Sequence, residues 1–402
     1  MDQSSDKEFG SALGSTSRSQ RLAFVDALRG WAILGVIAAH TVLWFPPSSE
    51  VTQAIAISGG HGVQLFFVIS SFTLLLSLSV KSTTEARPIL SYFIRRFFRI
   101  APMFYVFVGI YVLLPDARTF WVGRSTELSD IFLGLIFING WHPLSINSVV
   151  PGGWSIAVEM GFYLLLPIWF RYIKSFSTAF SVTLLCVLVG MGVSWLIRIP
   201  FLGAMPDQVV KDFSYFWLPA QLSVFGIGGL LFLIWNRQEI SRSKLTFKYK
   251  TEDINRDKII GALPPLICGL YLLAAFPIGG GYRFLPQQFL YAIAFFLIAY
   301  SLASYAFRPF VNPVTCFIGQ VSYSAYFFHF PIIWLFSTLQ IMGGYESSGS
   351  TLGFLVAIVV VTSFTLMFST LSYFLVERPF IAMGGRIVSL LGRMSKQKNR
   401  VH

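Results

Sequence analysis

The chain has 402 residues, of which 55% are hydrophobic, 17% aromatic and only 12% charged, about half the charge of a soluble domain. That composition excludes a soluble enzyme and points to one all-α, polytopic membrane domain. The net charge of +12 does not indicate nucleic-acid binding, because the basic residues sit between apolar runs, where they set topology.

In chain order, residues 1–20 are Ser-rich and polar without an apolar core, and read as a disordered cytosolic tail. About ten membrane spans follow, at 27–45, 62–80, 97–114, 154–170, 179–197, 217–235, 259–277, 287–305, 316–340 and 352–376, each near the ~20 residues a crossing helix needs. The apolar stretch 128–139 is about half that length and reads as interfacial or re-entrant. With that stretch left out and the N-terminus inside, inner segments hold 24 Lys and Arg, and outer loops hold 5. The asymmetry predicts that both termini, including a basic tail at 381–402, are cytoplasmic. Residues 21–380 form the membrane domain. Cys186, Cys268 and Cys316 all lie in apolar segments, so no disulfide framework is suggested, and no ligand spacing suggests a metal.

The first span carries charge where lipid tolerates little, in Phe24-Val-Asp26-Ala-Leu-Arg29-Gly and, further on, His40. Ionisable residues at membrane depth are functional candidates by default. The eleven-residue step from Arg29 to His40 returns to nearly the same helix face, ~16 Å along. Asp26 is placed to pair with Arg29 at i,i+3, which leaves guanidinium donors over. Gln64, in Gly62-Val-Gln-Leu-Phe-Phe, lies near the depth of His40. His61 and His142 fall in outer loops and read as solvated.

Arg95, Arg96 and Arg99 open the third span, with Arg95 and Arg99 on one face at i,i+4. They suit either anionic lipid headgroups or an anionic, phosphate-bearing ligand. Glu159, in Trp154-Ser-Ile-Ala-Val-Glu159, lies about as deep as His40, roughly 8 Å below the outer boundary. A carboxylate there can orient the imidazole by accepting its ring N–H. Alternatively it stays protonated and bonds a neighbouring helix. In the ninth span Ser322, Tyr326 and His329 share a face. Pro331 frees a backbone carbonyl beside them.

Taken in order, these motifs, with Arg95-Arg96-Phe-Phe-Arg99-Ile-Ala-Pro102 and Val376-Glu377-Arg378-Pro379-Phe380, resemble the acyltransferase-3 family of integral membrane O-acyltransferases. The resemblance runs from about residue 21 to 380. It implies an acyl-CoA donor, usually acetyl-CoA, taken from the cytosol as a co-substrate, with no further cofactor. It also implies a glycan acceptor and a bacterial inner-membrane location. Arg29 and His40 fall on the family's essential pair, and Arg95, Arg96 and Arg99 on its donor-linked arginines. Trp154 and Glu159 match its Trp…Glu element, with Asp26, Gln64, Tyr326 and His329 supporting.

Two positions depart from the family pattern. Gln64 stands where an acid is usual, so no acid/base role transfers to it, and Ser71 replaces a glycine. A stand-alone form, without a fused SGNH-type domain, is expected. His40 then acts as general base on a sugar hydroxyl, by direct transfer or through an acyl-His intermediate. A glycan transporter or a non-catalytic subunit of an export machine are the competing classes. Intramembrane charges also mark permeation paths, but no internal repeat is seen here.

Overall fold

A computed structural model describes residues 22–197, 205–245, 251–277, 285–339 and 350–401; side chains at 238–255 and beyond 394 are left aside. The N-terminal tail at 1–20 lies outside the described residues. Those described are helical or irregular, with no strand.

The chain runs through α1 (Ala23–Thr41), α2 (Glu50–Ser58), a 3₁₀ turn (Gly59–His61), α3 (Gly62–Lys81), α4 (Pro88–Leu113), α5 (Pro115–Val122) and α6 (Leu128–Leu135). It continues through α7 (Gly153–Tyr172), α8 (Phe176–Ile197), α9 (Asp207–Phe216), α10 (Leu218–Leu245), α11 (Thr251–Ala275) and α12 (Gln287–Ser304). Last come α13 (Pro313–Gln320), α14 (Ser322–Thr338), α15 (Thr351–Ser372), a π turn (Tyr373–Glu377) and α16 (Arg378–Val401).

Among the described residues, nine helical stretches are long and apolar enough to cross a membrane. The protein is therefore an integral membrane protein. The ninth span expected from sequence, at 316–340, divides at Val321 into α13 and the 17-residue α14, which falls just short of that length. Eight residues of α6 rise only ~12 Å, too little to cross, as its short apolar run indicated. The basic C-terminal segment is helical and continues from α15 through the π turn.

The first helix becomes the axis of the bundle. α1 packs against α3, α12, α13, α14 and α15, and Ala27, Ile33, Val36 and Ile37 are fully buried. In lipid, helices associate by close packing, which small residues at the crossing permit. At the crossing with α13 a Cβ on Gly319 would lie 1.8 Å from the carbonyl oxygen of Asp26, so only glycine fits. Two successive prolines, Pro46 and Pro47, bar any continuation beyond the end of α1. Asn312 caps α13 by accepting from the N–H groups of Val314 and Thr315, with Pro313 at the first helical position.

The periphery is α8 and α11, whose spanning windows are 22% and 17% buried, with Leu184, Leu185 and Leu188 exposed for lipid to cover. The π turn has a local cause. Pro379 cannot donate to the carbonyl of Leu375, so the ladder widens there. The widening turns Glu377 inward, 2% exposed, where it accepts from Ser324 Oγ.

Candidate active site

α1 carries two polar side chains into two separate cavities. The larger, about 910 Å³, is lined by His40 together with His61, Gln64, Trp121, Trp154 and Tyr326. The smaller, about 80 Å³, is lined by Arg29, Arg96, Arg99, Ser70, Glu159 and Tyr163. Tyr326 and Val63 border both. The larger volume suits a small-molecule site, and the smaller has room for no more than a few waters.

His40 is held from behind. Its Nδ1 lies 2.9 Å from the carbonyl oxygen of Val36 and 3.2 Å from Nε2 of His329. His329 is fully buried, and its own Nδ1 is 3.1 Å from the carbonyl of Ala325. A carbonyl only accepts, so His329 Nδ1 carries a proton and its Nε2 is an acceptor. His40 Nδ1 therefore donates to His329 and Val36. The lone pair of the neutral His40 ring is left on Nε2, which meets no protein partner among the described residues. Phe330 and Trp121 pack against the ring, with centroids at 4.7 and 5.9 Å, and hold its plane. The indole of Trp121 is itself tied at 3.0 Å to the carbonyl of Phe330, the residue before Pro331.

The expectation that Glu159 orients His40 is corrected by this arrangement. Glu159 accepts from Ser70 Oγ and, at 2.7 Å, from Tyr163 OH, in the arginine-lined cavity. Counting residues from a span end gives height in an untilted helix, never the direction faced. On α7 it is Trp154, stacked on Phe216 at 4.4 Å, that reaches the cavity of His40.

The arginines also divide differently from the i,i+4 reading. Arg95 pairs with Glu85, in the turn after α3, through both guanidinium nitrogens and does not line the cavity with Arg29. Arg96 and Arg99 line it instead, at i,i+3. The Nε of Arg96 is buried without a hydrogen-bond partner, so a donor stands ready there. Arg29 pairs with Asp26 at 3.2 Å as its spacing indicated, and its other arm reaches Thr73 Oγ1 at 3.4 Å. Three guanidiniums to one carboxylate make the lining anion-selective.

Tyr326 closes the wall between the cavities. Its hydroxyl donates to the carbonyl of Gly152 at 2.9 Å and accepts from Ser155 Oγ at 2.9 Å. Gly152, at φ +74°, leaves no room for a side chain, because a Cβ would sit 2.7 Å from that hydroxyl.

A family model described as "Acyltransferase domain" matches residues 22–373, which take in every residue of both cavities. The chain belongs to the acyltransferase-3 family. It is 27% identical over 385 residues to a protein of Staphylococcus aureus strain COL named "Putative O-acetyltransferase", covering 89% of this chain and 56% of that protein. It is 24% identical over 398 residues to "O-acetyltransferase OatA" of Staphylococcus aureus strain MRSA252, covering 93% of this chain and 59% of OatA. The chain thus spans under three fifths of the length of these relatives. No solved structure matches it.

In this acyltransferase-3 member sequence reading missed His61, Tyr215 and Gln221 around the large cavity, and Ser70 and Tyr163 beside Glu159. His61 is no solvated loop residue. It ends the 3₁₀ turn, lines the cavity and lies three residues before Gln64, a spacing that puts both on one face. His142 is exposed, with Nδ1 at 2.8 Å from Ser145 Oγ. Among the described residues no cluster of potential metal ligands occurs.

Proposed function

We propose that the protein is a membrane O-acyltransferase that moves an acyl group, acetyl by the names of its relatives, from acyl-CoA to a hydroxyl of a glycan. The observation that carries this reading is the division of labour along α1. Arg29 lies in an anion-selective pocket and His40 in a roomy one that no charged side chain lines among the described residues, with Tyr326 and Val63 between. The phosphates of acyl-CoA bind at the arginine end, at Arg29, Arg96 and Arg99, and the thin thioester arm reaches His40 when the wall of Tyr326 and Val63 between the cavities parts.

There the acceptor hydroxyl gives its proton to Nε2 of His40 as its oxygen attacks the thioester carbonyl carbon. The tetrahedral adduct collapses, the C–S bond breaks, and the CoA sulfur leaves with the proton from the imidazolium. An ester and free thiol result. His329 fixes the tautomer and stabilises the imidazolium by accepting its Nδ1–H. Glu159, held by Ser70 and Tyr163, offsets the arginine charge on the donor side.

The excess of Lys and Arg in alternate loops supports cytosolic termini and hence a donor taken from the cytosol, and the Staphylococcus aureus relatives support a bacterial cytoplasmic membrane. The test is thiol release from acetyl-CoA by purified protein supplied with methyl glycosides. His40→Ala should lower the rate about 10²- to 10⁴-fold. An unchanged rate, with the variant inserted and folded, rejects His40 as the base.

A further inference from the structure

The large cavity holds a second imidazole whose hydrogen-bonding state is set by a chain of fixed partners. Gln221 Nε2 donates at 2.7 Å to the backbone carbonyl of Tyr215. A carbonyl cannot donate, so the amide nitrogen of Gln221 must face it, and Gln221 Oε1 faces Gln64. Gln64 Nε2 donates to that oxygen at 3.2 Å and to Tyr215 OH at 3.2 Å. Gln64, 1% exposed, therefore turns Oε1 towards His61, 3.3 Å from Nδ1. Tyr215 OH, 3.2 Å from the same Nδ1, can either donate or accept. An amide oxygen only accepts, so an unprotonated Nδ1 would set two lone pairs face to face. His61 Nδ1 therefore carries the proton and Nε2 the lone pair.

The ring of His61 cannot turn away from this arrangement. Tyr291 stacks on it at 3.7 Å with 18° between the planes. The turn that bears it is seated on α1, with Gly59 packed on the backbone of Gly35 and Gly60 backed by Ala39, the residue before His40. The two histidines are thus fixed relative to each other, and both line one cavity. Among the described residues no protein group meets Nε2 of either. Among the described residues no Asp, Glu, Lys or Arg lines this cavity, and Trp121, Trp154 and Phe330 supply aromatic walls.

We propose that His61 is a positioning residue for the acyl acceptor and that the acceptor is an uncharged sugar held by two hydroxyls. One hydroxyl donates to His40 and is acylated, and another donates to His61. This rests on the reading of His40 as general base. A lone pair on the wall requires a donor. A wall without carboxylates gives an ammonium no counter-charge, and one without Lys or Arg gives a carboxylate or phosphate none. A neutral polyol meets both conditions, and its C–H faces match the aromatic walls.

Carbethoxylation by diethyl pyrocarbonate, mapped peptide by peptide on the detergent-solubilised wild type, tests the geometry without a variant. His40 and His61 should react, with exposed His142 as the reactive reference and buried His329 as the inert one. At least one of methyl β-D-glucopyranoside, methyl β-D-galactopyranoside and methyl α-D-mannopyranoside should slow labelling of both. Methyl β-D-glucuronide and 1-propanol should not. An unreactive His61, or one that no neutral glycoside protects, overturns the proposal; equal protection by the glucuronide or by propanol overturns it too.

In the thiol-release assay His61→Phe keeps the stack on Tyr291 and removes the lone pair. The KM for the protecting glycoside should rise about tenfold, the worth of one hydrogen bond, with the KM for acetyl-CoA unchanged. An unchanged glycoside KM also overturns the proposal. Protection without any thiol release would sink the transferase reading and leave the sugar site standing. Thiol release with His61 indifferent to every glycoside would do the reverse.

Discussion

Nε2 of His329 lies 3.2 Å from Nδ1 of His40, and behind it Nδ1 of His329 is anchored to the carbonyl of Ala325. Two imidazoles in series do for this site what a carboxylate behind a histidine does in a catalytic triad. The difference is charge. A neutral ring stabilises the developing imidazolium less than a carboxylate would, and it imposes no ionised group on the buried α1–α14 contact. His329→Gln can keep an acceptor near Nδ1, whereas His329→Leu cannot. His329→Leu should lower kcat about 10- to 100-fold, the usual cost of losing such an orienting partner, with KM for acetyl-CoA unchanged. His329→Gln should recover part of that loss. Equal losses in both variants would reduce His329 to packing.

The arginines give a paired prediction. Arg96→Ala removes a half-buried guanidinium whose buried Nε has no protein partner among the described residues, and Arg95→Ala breaks an ion pair with Glu85. A charge-assisted hydrogen bond is worth roughly 1.5–3 kcal/mol, so Arg96→Ala should raise the KM for acetyl-CoA about 10- to 100-fold. Arg95→Ala should leave that KM within about threefold and lower the melting temperature in detergent instead, as loss of a structural pair does. The reverse ranking would return the donor site to the Arg95 face.

Gly152 and Gly123 both sit at positive φ, +74° and +73°, but only Gly152 is crowded. Gly123→Ala should cost about 1–2 kcal/mol of backbone strain alone. Gly152→Ala adds a clash with Tyr326 and Phe330 worth roughly another 1–3 kcal/mol. Thermal melting in detergent should therefore place Gly152→Ala clearly below Gly123→Ala. Only the former should also reduce thiol release, because it displaces the tyrosine between the cavities.

The segment from α6 into the loop before α7 offers a pH test. Burial raises the carboxyl of Asp130. Ser145 Oγ at 2.6 Å, the N–H of Glu127 at 3.1 Å and Arg124 at 2.9 Å outweigh it, and the net shift is below the ordinary 3.8. A group lowered on folding contributes stability that is present above its unfolded value and lost as pH falls through the folded one. The wild type should therefore keep this segment ordered at pH 6 and begin to loosen it only below about pH 4. Asp130→Asn should remove that acid dependence and loosen the segment at pH 6 as well. Limited proteolysis between residues 123 and 150 at pH 6 and pH 3.5 reads both effects.

Helical period and charge made the main elements readable. Arg29 and His40 fall on one face of α1 because eleven residues complete almost three turns. The eight residues of α6 are too few to cross, whatever surrounds them. What could not be read was azimuth. Glu159 and His40 share a height, yet the carboxylate turns towards Ser70, because the rotation of α7 is set by its packing against α3 and α10. Arg95 and Arg96 are adjacent in sequence, and only the position of Glu85 decides which of them faces the cavity. His61 was hidden for another reason. Assigned to a loop, it had no face, and its turn is held to α1 by glycines that carry no side-chain pattern to recognise.

The backbone contact between Gly319 and Asp26 joins residues almost three hundred positions apart. During synthesis at about 5–20 residues per second, α1 therefore waits about 15–60 s before the helices that enclose its far side exist. Throughout that interval a span bearing a guanidinium and an imidazole must survive in the bilayer with a provisional partner. The early pairing of Arg29 with Asp26 on the same helix supplies one. An asparagine at position 26 would thus be felt first in membrane insertion yield, before any assay of the finished protein could register it.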